Sequence, residues 1–145
     1  MIPRWHILLG AIFTGIIWFF IPTLNWVYLL TIFLASVLID LDHYFCAAYK
    51  IKKLSLLRCL DYYTALNKKH EIEKKRGIRQ KGDFHIFHTV EFHTLIAILS
   101  YFSLYFFFIF IGMIFHSLCD LFWLLSKDRI YLREYFFFNQ IKDKF

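Results

Sequence analysis

The sequence predicts an all-α membrane protein: a polytopic bundle of four transmembrane helices, with an amphipathic helix lying at one membrane face. Three observations predict it. The 145-residue chain is 59% hydrophobic with 19 phenylalanines and a mean hydropathy of +0.52, whereas ordinary soluble domains are nearer half apolar. Its apolar residues gather in four runs, at 5–21, 24–40, 84–102 and 104–125, each close to the ~20 residues that cross a bilayer core. Gly (5) and Pro (2) are scarce, as suits continuous helices joined by short turns. Runs rich in Phe, Ile and Tyr also suit strands, but a short sheet in lipid leaves its edges unpaired, so helices are expected. The length fits a single domain over 1–145.

The first run reaches Ile21 and stops at Pro22 without a small-x-small cleavage site, so it reads as a retained helix and not a signal peptide. An uncharged turn at Pro22 and Thr23 leads to the second run, which ends in Asp40, Leu41, Asp42 and His43. The stretch 44–83 is basic: between Lys50 and Lys81 lie 11 of the 17 Lys and Arg. Positive charge concentrated between apolar runs marks a cytoplasmic loop. Within it Ile51, Leu54, Leu57, Leu60 and Tyr63 recur every third residue. That spacing predicts an amphipathic helix on the inner leaflet, its lysines toward anionic lipid headgroups. Gly77 and Gly82 mark a looser connection to the third run. The third and fourth runs divide near Ser103. The tail 127–145, with Ile130, Tyr131, Tyr135 and three consecutive phenylalanines, is expected in the membrane interface. Arg4, the basic loop, Lys127, Arg129 and Arg133 fall on one side, which puts both termini in the cytoplasm.

The same charge pattern bears on partners. A net charge of +6 and a pI near 9.3 would suit nucleic acid, but the membrane rule already explains where the charge sits. The expected partners are the bilayer and anionic headgroups along 50–81, with no nucleic acid. Cys46, Cys59 and Cys119 form no CxxC pair. Their odd number argues for reduced thiols and against a disulfide framework.

Ligand-type residues then stand out against this apolar background: His6, Asp40, Asp42, His43, His85, His88, Glu91, His93, His116 and Asp120. Ionisable groups at membrane depth are costly and mark functional sites. Counting helical rise from the outer turns places His6 at roughly 24 Å, Asp40 at roughly 25 Å and His88 at roughly 22 Å. His116 falls at roughly 20 Å, Asp120 at roughly 25 Å and His85 at roughly 27 Å. All four runs thus deliver polar groups to one layer beside the cytoplasmic boundary. His93, at roughly 15 Å, lies deeper. Asp40 with His43, and His116 with Asp120, share helix faces by their spacing. His88 and His93, five apart, converge only if a helix begins between them or the helix tilts.

Mixed imidazole and carboxylate ligands suit zinc, with manganese or iron as competitors. The absence of thiolates argues against a closed structural zinc site. The number of candidate ligands exceeds what one tetrahedral ion needs, which points to room for more than one. The metal ligands expected are His6, Asp40, Asp42, His43, His85, His88, His93, His116 and Asp120. Glu91, three residues after His88, is the candidate general base; its other reading is a group that orients a ligand histidine.

In motif order the chain resembles the YdjM-like membrane-bound metal-dependent hydrolases. It carries a histidine followed by glycine (His6, Gly10), an Asp-x-Asp-His run (Asp40, Asp42, His43), paired histidines followed by a hydroxyl residue (His88, His93, Thr94), and Gly112 with His116 and Asp120. A more distant similarity in motif order extends to zinc-dependent phospholipase C. The resemblance implies a hydrolase acting on a phosphate ester, on lipid or on a lipid-linked group. The chain departs from the family in two places: Thr89 stands where Arg is usual and Ile39 where Pro is usual. Three other readings use the same residues: a metal or proton transporter, a haem protein with histidine axial ligands, and a metal-stabilised scaffold without catalysis. A transport path would need polar residues through the outer half as well, and that half is nearly all apolar.

Overall fold

The computed structural model describes residues 3–142, and all regular structure among them is helical. Seven α-helices follow in order: α1 (Pro3–Phe20), α2 (Trp26–Leu38), α3 (Leu41–Ile51), α4 (Leu56–Lys75), α5 (Val90–Ser100), α6 (Leu104–Ser126) and α7 (Phe137–Lys142). Single 3₁₀ turns lie at Ile86–His88 and Ile130–Leu132. The longest α-helix, α6, packs against α2 and α5 and touches α1, while α3 pairs with α4.

Close approach of α2 and α6 depends on Gly112. A Cβ there would collide with the Ile32 carbonyl and come within 2.9 Å of the Ala35 Cβ. At Gly10 a Cβ would collide with the Ser36 Oγ in the same way. Small residues let helix backbones meet where lipid offers no hydrophobic drive between them. Gly10 and Gly112 lie one turn after His6 and one turn before His116. They set the backbone spacing at which those imidazoles meet. Below this point Ile39, Ile96 and Met113 form a buried apolar cluster, with Phe87, Phe92 and Phe110 packed against it. A second cluster (Ala47, Ala48 and Cys59) joins α3 to α4. All three cysteines are free thiols.

Two helices are long and apolar enough to cross a membrane: Trp26–Ile51, where α2 runs on into α3, and Leu104–Ser126. Arg4–Phe20 and Val90–Ser100 are apolar but shorter. At the end of the bundle away from His6, Trp18, Phe19, Phe20, Trp26, Tyr101, Phe102 and Leu104 are all more than half exposed.

The structure redraws two expected boundaries. Residues 44–51 are helix and not loop, because nothing in Leu41–Ile51 interrupts the α-helical ladder until Lys52 turns left-handed (φ 54°). The basic stretch is therefore a helical hairpin, α3 turning into α4. The third apolar run starts its helix only at Val90. Thr89 is extended there, and its hydroxyl accepts from the Phe92 N–H at 3.3 Å, an N-cap that stops the helix from extending back to 84. The turn at Ser103 falls as expected, with Ser103 the residue preceding α6. Of the tail 127–145, residues 143–145 lie outside the described residues. Through Phe137 the tail folds back over the bundle, where the Gly82 N–H donates to the Leu132 carbonyl and the Val90 N–H to the Tyr135 carbonyl, both at 2.8 Å.

Candidate metal centre

The site forms where α2 breaks into α3. Asp40 takes αR geometry with ψ near zero, and the ladder tightens: the Asp40 N–H reaches back to the Val37 carbonyl at 3.4 Å. The break turns Asp40 and Asp42 into the bundle. The Ser36 carbonyl one turn earlier accepts from His116 Nδ1 at 2.7 Å. A carbonyl only accepts, so Nδ1 of His116 carries a proton, and in the neutral ring that ligation requires Nε2 presents a lone pair.

His88 is oriented the same way from another direction. Its Nδ1 lies 3.0 Å from Asp42 Oδ2, which also accepts from the Phe87 N–H at 3.0 Å. The carboxylate accepts from the Nδ1–H, so in the neutral ring Nε2 presents a lone pair. His88 Nε2 and His116 Nε2 then face one another at 3.2 Å. Two buried acceptors in that position repel unless a proton or a cation lies between them.

The surrounding carboxylates complete the arrangement. Asp40 Oδ1 lies 3.4 Å from His116 Nε2 and 3.6 Å from His88 Nε2. Asp120 Oδ2 lies 3.7 and 4.0 Å from the same two atoms. One ligand atom each from Asp40, His88, His116 and Asp120 falls within 4.8 Å of all the others. A tetrahedral zinc with bonds of about 2.1 Å has ligand–ligand edges of about 3.4 Å. The four side chains are spaced to hold such an ion with small adjustments.

His6 extends the cluster. Its ring stacks on His116 with centroids 3.9 Å apart, and its Nε2 lies 3.1 Å from Asp120 Oδ1 and 3.9 Å from Asp40 Oδ2. Asp42, His43 and His88 make a second group of possible ligands. The His43 and His85 rings lie 3.5 Å apart, and His85 Nδ1 is 3.9 Å from Asp42 Oδ1. Among the described residues, buried polar side-chain atoms without a hydrogen-bond partner are His6 Nε2, Asp42 Oδ1, His85 Nδ1 and Tyr135 Oη. The first three border this one cluster. Leaving such an atom unsatisfied costs about 1–3 kcal/mol, so their concentration here marks a site built for a further group.

Eight of the nine expected ligands are thus brought together: His6, Asp40, Asp42, His43, His85, His88, His116 and Asp120. His93 is held apart. Its Nδ1 donates to the Thr89 carbonyl and its Nε2 accepts from the Ser117 hydroxyl, both at 2.9 Å, which leaves it no lone pair for a metal. Glu91 does not join the cluster either. Its carboxylate accepts from the Phe137 N–H at 3.0 Å and fastens the tail to the start of α5.

Sequence reasoning missed Arg133. Its guanidinium donates to Asp120 Oδ2 at 2.6 Å, and its side chain is 11% exposed. The one available signal was its position as the single basic residue in a stretch, 130–138, that is aromatic and aliphatic apart from Glu134. Three carboxylates against this one guanidinium leave the neutral-histidine cluster negative, which favours a bound cation. A cavity of about 300 Å³ opens beneath α4 and reaches the cluster past His43, Tyr63, His85 and Arg133. No family model, curated protein or solved structure matches this chain.

Proposed function

We propose that this chain is an integral membrane hydrolase that uses a divalent cation, zinc fitting its ligands best, to cleave a phosphate ester carried by a lipid or lipid-linked substrate. The observation that carries it is the pair of Nε2 lone pairs, on His88 and His116, facing each other between two carboxylates. The motif order shared with the YdjM-like hydrolases supports the same reading. Asp40, His88, His116 and Asp120 hold one ion. His6 borders that position, and Asp42, His43 and His85 offer places for another. A bound cation of this kind supplies Lewis acidity, polarising a phosphoryl oxygen and making water nucleophilic at neutral pH.

The chain's own residues supply the rest. The Ser36 carbonyl and the Asp42 carboxylate lock the two imidazoles in the tautomer that ligation requires. The apolar cluster around Ile39 and Met113 closes the outer side against water. The helices α1, α2 with α3, α5 and α6 form the four-helix membrane bundle. In it α5, at 11 residues or about 16 Å, runs from the outer turn only to the level of the site. The basic α3–α4 hairpin and both termini lie on the cytoplasmic face, where Lys and Arg meet anionic headgroups. A haem reading fits poorly, since 3.2 Å between the imidazole nitrogens leaves no room for an iron with two bonds of about 2 Å.

The test is a hydrolysis screen on detergent-purified protein with phosphomonoesters, phosphodiesters and carboxylesters, before and after chelation. The proposal expects release of phosphate or alcohol from a phosphate ester. That release is lost on chelation, restored by zinc or manganese, and absent in Asp40→Asn. Turnover that survives both chelation and Asp40→Asn, or turnover confined to carboxylesters, overturns it.

A further inference from the structure

Beside the metal cluster lies a second feature that the ligand geometry does not explain. A cavity of about 370 Å³ opens between α5, α6 and the folded-back tail, large enough for a small-molecule ligand. Its polar end is made by His88, Arg133 and Tyr135, and its other end by Ala97, Phe110 and Ile114. His88 belongs to both places, so its ring is the wall between cavity and metal cluster. The rim residues Val90 and Ile114 are exposed apolar side chains, so the mouth opens on the surface that faces lipid in the proposed bundle.

Two groups at the polar end are arranged for an anion. Tyr135 Oη is buried and has no hydrogen-bond partner. A phenol donates readily to a phosphoryl oxygen, and leaving it unpaired carries the cost of a desolvated donor. Arg133 has five N–H donors in a planar fork and stands against Asp120 through one terminal nitrogen at 2.6 Å. The stretch of tail that carries them is held by backbone contacts on the C-terminal side of Arg133. The Tyr135 carbonyl accepts from the Val90 N–H at 2.8 Å, and the Phe137 N–H is held by Glu91 at 3.0 Å. The tail is therefore a strap that carries a cation and a free phenolic donor to the edge of the metal cluster.

We infer that this cavity is the substrate site: Arg133 and Tyr135 hold the phosphoryl oxygens of an amphipathic phosphate ester whose alkyl chain passes Phe110 and Ile114 into the bilayer. The inference rests on the reading of the cluster as a hydrolytic metal centre, and it names the substrate class and the residues that select it. A guanidinium over the phosphoryl group neutralises charge as the ester bond breaks, and the apolar mouth admits a chain sideways from lipid.

The test measures binding and not turnover. Full-length protein in detergent is titrated with decylphosphonate, which cannot be hydrolysed, and with inorganic phosphate, following tryptophan fluorescence. Expected results are tighter binding of decylphosphonate than of phosphate by tenfold or more, on the order of 1.4 kcal/mol. Arg133→Met weakens decylphosphonate binding on the order of tenfold, the loss of a charge-assisted contact. Tyr135→Phe, which removes one hydroxyl, weakens it about fivefold. Ile114→Trp, which fills the mouth without touching the cluster, weakens decylphosphonate and leaves phosphate unchanged. Equal affinity for the two ligands assigns the site to soluble phosphate esters and overturns the lipid source. Unchanged binding in Arg133→Met and Tyr135→Phe overturns the site itself. Metal content is measured on the same samples. Protein that carries no metal yet binds decylphosphonate through Arg133 and Tyr135 sinks the hydrolase reading and keeps the pocket, whereas metal without that dependence does the reverse.

Discussion

Two polar networks lie at the same end of this bundle, one half-exposed around Asp83 and one buried around Asp40 and Asp120, and they are finished to different degrees. Around Asp83, in the segment before α5, every demand is met from within the chain. Lys50 Nζ donates to Oδ1 at 2.5 Å, Tyr62 Oη to Oδ2 at 2.9 Å and Cys46 Sγ to Oδ2 at 3.7 Å. Around Asp40 and Asp120, lone pairs face each other and three buried atoms go without partners. The first network brings its own cation, Lys50. The second has more carboxylates and only Arg133 at its edge, and its residues could hold a metal ion. A cluster of polar groups alone therefore does not mark a site; what marks it is buried polarity that the chain leaves unsatisfied.

This contrast breaks first if a cation is not what completes the second network. Chelation, or His116→Ala, should lower stability by about 4 kcal/mol when free metal stands at a thousand times its dissociation constant. It should do so only for the metal-loaded protein, read as thermal unfolding in detergent. The same chelator should leave the unfolding of an already metal-free His116→Ala sample unchanged. A smaller loss is expected at Asp42→Asn, because the amide no longer draws the His88 Nδ1 proton. Metal affinity should fall about 10- to 100-fold, measured by competition with a chromophoric chelator, with the fold kept.

Geometry supplies the third test. Gly112→Ala forces α6 away from the Ile32 carbonyl and the Ala35 Cβ. It should cost about 1–3 kcal/mol in overpacking and weaken metal binding with it, since His116 is one turn on. Gly15, with nothing within 4 Å of an added Cβ, is the control. Its Ala variant should unfold no earlier than wild type.

The smallest effect belongs to the finished network. Burial pushes the Asp83 carboxyl up, but the hydrogen bonds from Lys50 and Tyr62 outweigh it and hold the group below its ordinary value of 3.8. A carboxylate depressed in the folded state adds stability above its unfolded value and loses it as pH falls through the folded one. Acid should therefore remove this contribution only below about pH 4, and Asp83→Asn should flatten that part of the stability profile. Lys50 is 45% exposed on its side chain, so the effect should stay within about 1 kcal/mol. Unfolding midpoints between pH 3 and pH 6, compared for the two proteins, read it directly.

How much of this was legible beforehand follows from what periodicity and spacing can encode. Helical rise counted from Pro22 and Ser103 put His6, Asp40, His88, His116 and Asp120 at one level, because straight helices convert sequence distance into depth. The five-residue interval from His88 to His93 allowed convergence only with a helix start between them or a tilt; α5 does begin there, at Val90, yet the two imidazoles do not converge. The outcome for His93 was not in the spacing. Whether that imidazole keeps a lone pair depends on the Ser117 hydroxyl, two helices meeting in space. The Ser36 carbonyl was invisible for a deeper reason, since a backbone acceptor has no residue type. The composition of 130–138 suits an interfacial stretch, but it could not show that the tail is tied to the bundle by backbone hydrogen bonds from Gly82 and Val90. The basic stretch 44–83 was read correctly as helix-forming and wrongly as one loop, since Lys52 breaks it without a Gly or Pro to announce the turn.

The most direct measurement is the metal content of wild-type protein, purified without chelator and then equilibrated with zinc and desalted. The account predicts at least one ion per chain, and none in a variant carrying both Asp40→Ala and His116→Ala. Folded wild-type protein that retains no ion after this treatment would mean that a shared proton alone separates His88 from His116, and the metal centre would have to be abandoned.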